Sequence, residues 1–227
     1  MAFGTRFCTA AKQKSWPLGI AYPYCPFPYN KLKIMEIKNY AIFKYLGDDL
    51  RENLITVSWH LFSSYGVRPV SIEDICKKLS ISRSVFYRYF ADKEALLKSV
   101  CETEVGKYKA ALLKTHWEPN AAAQTLKIFE ILATLPQRIP KLFLRDIEIK
   151  YPHLFQIFLD FKIYLLEKVF EENIRRGAAE GIYRHTDEGY AAKLWYEFVV
   201  LNYTDWNAAN YSREYFLRGL LSDPNSR

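Results

Sequence analysis

From Asp48 onward, apolar residues recur at the three- and four-residue spacing of a helix face, and no stretch sustains the period-two alternation of a half-buried strand. The segment DDLRENLITVSWHLFSSYG aligns Leu50, Leu54, Val57 and Leu61 behind an acidic start, and Gly66 is placed to end that helix in a left-handed turn. SIEDICKKL opens with Ser71 and Asp74 in the spacing of a capping box. SRSVFYRYF forms a third short helix, and a fourth starts at the Asp92 cap and is expected to run to about His116. Further helical patterns cover about 121–134, 137–150, 153–176, 188–204 and 212–221. Pro119, Pro136, Pro152, Gly177 with Gly181, and the run NAANYS mark the breaks, and Arg175 and Arg176 lie where a helix C-terminus favours cations.

The first 47 residues differ. Pro17, Pro23, Pro26 and Pro28 force extended backbone on the residues before them, while 31–46 has the composition of a short helix. This leader (1–47) reads as a disordered segment, as residues preceding a true start at Met35, or as a basic arm tracking a phosphate backbone. The all-α remainder divides into a three-helix unit at 48–93 and a larger helical portion at 94–227.

Composition bounds the class. Of the 227 residues, 50% are hydrophobic and 16% aromatic, which fits a globular chain. The net charge of +7 resembles a nucleic-acid signature until it is located. Seven basic residues against the single acid Glu36 give the leader +6, leaving +1 for everything after it. The four cysteines form no C-x-x-C pair, so neither a disulfide framework nor a zinc site is expected. No apolar run approaches the ~20 residues needed to span a bilayer, and a soluble cytoplasmic protein is the expectation. Glycine motifs for nucleotides or for a nucleophile elbow are missing, and His60, His116, His153 and His185 fall singly. Neither an enzyme nor a bound metal or cofactor is expected.

The short helices are the informative feature. Two of about nine residues, joined by Ser80-Ile81-Ser82, have the length pattern of a helix-turn-helix. With Ser82 as N-cap and ~100° per residue, Arg83, Tyr87, Ser84 and Arg88 share one open arc. Phe86 and Phe90 fall on the opposite side, able to pack on Ile75, Leu79 and Leu61. Ile81 and Phe86 have the spacing of a hydrophobic staple. Lys77, Lys78, Arg83 and Arg88 give residues 75–90 a local charge of +4 with no acid. Arg83 can donate two hydrogen bonds to a guanine edge and Ser84 can donate or accept, while Tyr87, Arg88 and Tyr89 can reach phosphates. An ordinary solvated helix face is the competing reading, and it does not account for the caps, the short turn and the staple coinciding there.

These residues resemble a known family. Gly66, Ser71-x-x-x-Ile75, Leu79-Ser80-Ile81-Ser82 and Val85-Phe86-Tyr87-Arg88-Tyr89-Phe90-x-x-Lys93-Glu94-x-Leu96 are similar to the N-terminal domain of the tetracycline-repressor (TetR/AcrR) family. The resemblance covers about residues 50–100, and Ala179-Glu180-Gly181-Ile182-Tyr183-Arg184 looks like the family's loop before its dimerisation helices. It implies a three-helix DNA-binding domain followed by a larger ligand-binding and dimerisation domain. By position, Arg83, Ser84 and Val85 become base-edge readers. Ser71, Tyr87, Tyr89 and Lys93 become phosphate contacts, with Ser82 and Arg88 completing the DNA-facing set. The chain departs from the family pattern at Ser80, often glycine, and at Cys76, Ser84 and Val85. Ser80 is expected to strain a left-handed turn by ~1 kcal/mol relative to glycine.

The resemblance further implies a homodimer on a palindromic operator in double-stranded DNA, repressing until a small apolar or aromatic effector binds. Candidate effector-pocket residues are Tyr108, Trp117, Phe129, Phe143, Phe155 and Phe158. The candidate dimer face comprises Ala191, Leu194, Trp195, Phe198 and Val199 with Tyr215, Phe216 and Leu220. Intramolecular core is the competing assignment for both sets. A helical protein-interaction adaptor with a degenerate DNA-binding domain is the competing function, one in which Arg83→Ala and Tyr87→Ala would change nothing.

Overall fold

A computed structural model of the protein describes residues 49–198 and 215–222. The leader, Val199, the NAANYS break and the far end of the helix expected at 188–204 lie outside the described residues.

The three short capped helices form as their end signals dictate. α1 (Asp49–Tyr65) closes at Gly66, whose φ of 86° is the left-handed conformation glycine adopts without a Cβ penalty. α2 (Ile72–Leu79) begins with both halves of the capping box, the Ser71 hydroxyl accepting from the Asp74 N–H and the Asp74 carboxylate accepting from the Ser71 N–H. It ends in a Schellman turn: Ile81 N–H donates to Cys76 O (3.0 Å) and Ser80 N–H to Lys77 O (3.2 Å). Ser80 takes the left-handed conformation there, at φ 55° and ψ 39°, the only non-glycine to do so among the described residues. α3 is shorter than its pattern suggests. Only Arg83–Phe86 is α-helical, and beyond it Arg88 and Tyr89 N–H groups reach back three residues to Val85 and Phe86. The backbone tightens because Phe90 must turn inward while Asp92 opens the next helix.

α4 (Lys93–Lys114), capped by Asp92, is the longest unbroken α-helix among the described residues. A 3-10 turn at Thr115–Trp117 extends it to about the length expected. α5 (Ala121–Leu132) and the single turn α6 (Leu135–Arg138) follow. α7 (Lys141–Lys150) starts later than the expected 137, because Pro140 restricts Ile139 to ψ 83° and adds a second break after the one at Pro136, which lies in the first turn of α6. α8 (Pro152–Tyr164), a π-helical turn (Leu165–Phe170) and α9 (Glu171–Ala179) run on as one rod. α10 (Glu188–Tyr196) is capped by Asp187, and residues 215–220 are helical.

Gly177 is not a break. It lies inside α9 and is glycine there because the ring of buried Tyr183 sits where its Cβ would be. Gly181, at φ 71°, makes the actual stop, with Ile182 N–H donating to Gly177 O. The one β-bridge among the described residues joins Tyr183 to Leu221 and ties the C-terminal helical turn to this loop.

The buried core is continuous across residues 93–94, running from Leu54, Phe62, Ile75 and Phe86 through Leu96, Val100 and Val105 into the larger helical portion. Packing also corrects part of the expected dimer face. Ala191, Trp195, Phe216 and Leu220 are 0–7% exposed. Trp195 stacks on Phe170 at 4.4 Å and leans on Phe129 and Phe216. These four side chains fill the protein's own core and have no surface to offer a partner, whereas Leu194 and Tyr215 remain 39% and 73% exposed. Phe198 is half-buried against Phe216.

Candidate nucleic-acid interface

α3 is held by one side and open on the other. Phe86 and Phe90 are buried, their rings 6.0 Å apart, and the Arg51 guanidinium covers Phe90 at 5.3 Å. Ile81 packs partly buried on the same core, so it serves both as the apolar residue closing α2 and as the one opening α3. Cys76 fills the turn with its thiol toward Ser82 O, and burial raises its pKa, so this sulfur acts as a small apolar group. Facing away, Ser82, Arg83, Ser84, Tyr87, Arg88 and Tyr89 are all exposed, and Val85 is half-buried.

The exposed groups are ordered among themselves. Ser82 Oγ accepts from the Val85 N–H as N-cap and shares a 2.8 Å hydrogen bond with Ser84 Oγ. Arg83 is bound at both terminal nitrogens: one forms a 2.6 Å ion pair with Glu73 on α2, the other donates to the Tyr87 hydroxyl at 3.4 Å. The Tyr87 hydrogen bond and then the Glu73 charge raise its pKa above the ordinary arginine value. Sequence reasoning missed Glu73, which lies just outside the 75–90 window in which no acid occurs. Its spacing from Arg83 carries no signal by itself; only the packing of α2 against α3 brings the two together.

Two expected phosphate contacts already have internal partners. Ser71 Oγ donates to Asp74 and accepts from its N–H, so it would have to give up part of the capping box to reach a phosphate. Lys93 is half-buried, and its ammonium donates to Val67 O at 2.6 Å and lies 5.7 Å from the Phe62 ring centre. Desolvation lowers the Lys93 pKa, partly offset by Asp146 and Asp74. From α7, the Asp146 carboxylate accepts from the N–H groups of Val67 (2.8 Å) and Arg68 (3.2 Å). The Val67–Arg68 peptide is therefore gripped at both ends, its carbonyl by α4 and its N–H by α7.

The six aromatic residues expected around one pocket do not gather. Phe143 packs between Trp59 and Phe158, and Phe155 adjoins Phe158. Tyr108 bonds Thr134 and leans on Phe161, and Phe129 belongs to the Trp195 cluster. Trp117 is corrected outright: at 89% exposed it stands on the surface of the 3-10 turn and lines nothing. A buried polar knot lies elsewhere, with Thr125 bonded to Asn173 and Tyr183, and Asn173 bonded to Ala121 O and Gln124. Among the described residues no three His, Cys, Asp or Glu side chains gather as metal ligands, and no helix is long and apolar enough to cross a membrane.

Comparison with known proteins agrees with this geometry. Residues 54–100 match the family model described as bacterial regulatory proteins, tetR family. An uncharacterized HTH-type transcriptional regulator of Bacillus subtilis, YerO, is 37% identical over 59 residues, 26% of this chain and 20% of that one. The match thus spans about a fifth of that relative's length. A transcriptional regulator from Cytophaga hutchinsonii superposes with a TM-score of 0.64 at 17% identity, over 77% of this chain and 100% of the other. A putative regulator from Saccharomonospora viridis, solved with choline, gives 0.65 at 16% identity over 78% and 100%. PfmR of Thermus thermophilus, a TetR-family regulator, gives 0.59 at 20% identity over 74% and 99%. At these identities the structures speak for the fold, and the matched segment speaks for the family. Residues 54–100 are thus a tetR-family DNA-binding segment, and the helices that follow share the fold of these solved regulators.

Proposed function

We propose that this chain, as a TetR-family regulator, represses transcription by placing α3 in the major groove of a palindromic operator and is released by a small organic effector. The carrying observation is the division of α3 into a buried anchor, Phe86 and Phe90, and an exposed polar face bearing Arg83, Ser84, Tyr87 and Arg88. Arg83, Ser84 and Val85 read base edges in this reading. Tyr87, Arg88 and Tyr89 bind phosphates, with Ser82 ordering the helix start. Ser71 and Lys93 act there only after exchanging internal hydrogen bonds for phosphate.

One such face contacts few base pairs, so a homodimer in the cytoplasm is part of the proposal, with recognition helices one DNA turn apart (~34–36 Å). Exposed Leu194 and Tyr215, beside exposed Tyr190, support a partner contact along α10 and residues 215–220. The choline-bound relative supports a small organic effector lodged among the helices of the larger portion. An effector that favours a conformation with the wrong helix spacing would weaken operator binding by about 5–150-fold at typical couplings.

The test is selection of bound duplexes from a random DNA pool by the purified chain, without effector and at moderate salt. Enrichment of a palindrome whose half-sites are one turn apart is the expected result, with Arg83→Ala flattening its preference at one position per half-site. Recovery of no enriched sequence would sink the proposal.

A further inference from the structure

The cation at the start of α3 is not a free one. Glu73 Oε1 lies 2.6 Å from one terminal nitrogen of Arg83, and the Tyr87 hydroxyl lies 3.4 Å from the other. Both members of the ion pair are more than half exposed, so it adds little to folding. Nor does Glu73 cap its own helix, since Asp74 forms the capping box. We infer that Glu73 is a specificity-determining positioning residue, which orients Arg83 toward a G·C base pair and holds it off the phosphate backbone. The inference rests on the DNA-binding reading given above.

The physical argument starts from what an unrestrained arginine does. On a DNA-facing surface a long flexible cation meets phosphates first, and a phosphate contact carries no sequence information. Two fixed partners hold the guanidinium plane, and each terminal nitrogen keeps a second N–H. That leaves a pair of donors of the kind that matches the O6 and N7 acceptors of guanine. The carboxylate beside them repels any phosphate the guanidinium might approach, and such repulsion falls on every sequence alike. Adenine, with a donor where guanine has O6, keeps only the N7 acceptor and so loses one of the two bonds. Discrimination thus comes from the favourable guanine contact and from the penalty on indiscriminate binding, which are separate effects.

The experiment uses the full chain, with Glu73→Gln, Arg83→Ala and the double variant, on the duplex the wild type selects from the random pool. Single-base-pair variants of that duplex and an unrelated duplex complete the set, each measured across a salt series. Arg83→Ala should flatten preference at one position per half-site by roughly 5–150-fold, the usual weight of a bidentate base contact. Glu73→Gln should flatten the same position by about threefold or more and tighten binding to the unrelated duplex. It should also steepen the salt dependence, by ~0.9 in slope for each phosphate newly engaged. In the Arg83→Ala background, Glu73→Gln should leave base preference unchanged. The inference is overturned if Glu73→Gln keeps full discrimination, or alters binding equally for all sequences. A wild-type chain that selects no duplex removes the DNA reading itself, and this inference with it.

Discussion

Removing the Asp146 carboxylate should loosen the turn between α1 and α2 from the rest of the protein. Asp146 is 5% exposed and accepts from two backbone N–H groups, of which the Val67 donor is buried. Asp146→Ala forfeits two charge-assisted hydrogen bonds and leaves the Val67 N–H without an acceptor, at about 1–3 kcal/mol for the orphaned donor alone. Water can reach the Arg68 N–H, and the carboxylate's own desolvation cost is relieved, so a net loss of ~2–4 kcal/mol is the reasonable sum. At a urea dependence of about 2 kcal/mol/M, the unfolding midpoint should fall by ~1–2 M. Asp146→Asn keeps an acceptor without the charge and should lose about half as much. A sharper test uses the peptide that Asp146 and Lys93 share. The Val67 carbonyl and the Arg68 N–H belong to one amide, each bond polarising the other, so Lys93→Met and Asp146→Ala should be non-additive by ~0.5 kcal/mol or more. A loss below ~0.5 kcal/mol for Asp146→Ala, or strict additivity in the cycle, would refute the account of the clamp.

Gly177→Ala puts a methyl group into the ring of Tyr183, which is 2% exposed and hydrogen-bonded to Thr125. It should destabilise by ~3 kcal/mol, the upper part of the range for overpacking, and urea unfolding within ~0.5 kcal/mol of wild type would contradict that. Burial pushes the Cys101 thiol from 9.0 up to about 12. Its contribution is complete below pH 9, and it declines as pH rises toward 12, because the unfolded chain loses that proton first. Cys101→Ala should therefore flatten the alkaline fall in stability between pH 9 and 10 by up to ~1.4 kcal/mol per pH unit, and an unchanged slope in urea titrations would count against it.

The elements that declared themselves in the sequence are those fixed by local chemistry. Ser71 with Asp74, Ser82, Asp92 and Gly66 each satisfy backbone groups within a few residues, and each stands where the sequence predicts it. The inward face of α3 was legible for the same reason, since Phe86 and Phe90 differ by one helical turn. What escaped depends on distant partners. Asp146 binds amides 78 and 79 residues earlier in the chain. Gly177 reads as a stop signal until the Tyr183 ring is seen against it. An apolar stripe such as Ala191-Leu194-Trp195 shows that something covers it, yet not whether the cover is the same chain, and here Phe170 and Phe216 cover Trp195. The charge count failed at its edge, where Glu73 joined the basic face from the neighbouring helix.

The grip on the Val67–Arg68 peptide also limits how freely the DNA reader can be exchanged. Transplanting residues 49–92 as a cassette onto another helical body would leave behind both Lys93 and Asp146, the two side chains that complete its first turn. A host without a carboxylate at the matching place would bury a bare amide, and a residue other than glycine at 66 would meet that carboxylate at 2.8 Å. The natural seam for recombining this reader with new sensors therefore follows hydrogen bonds, and it takes in α4 and part of α7.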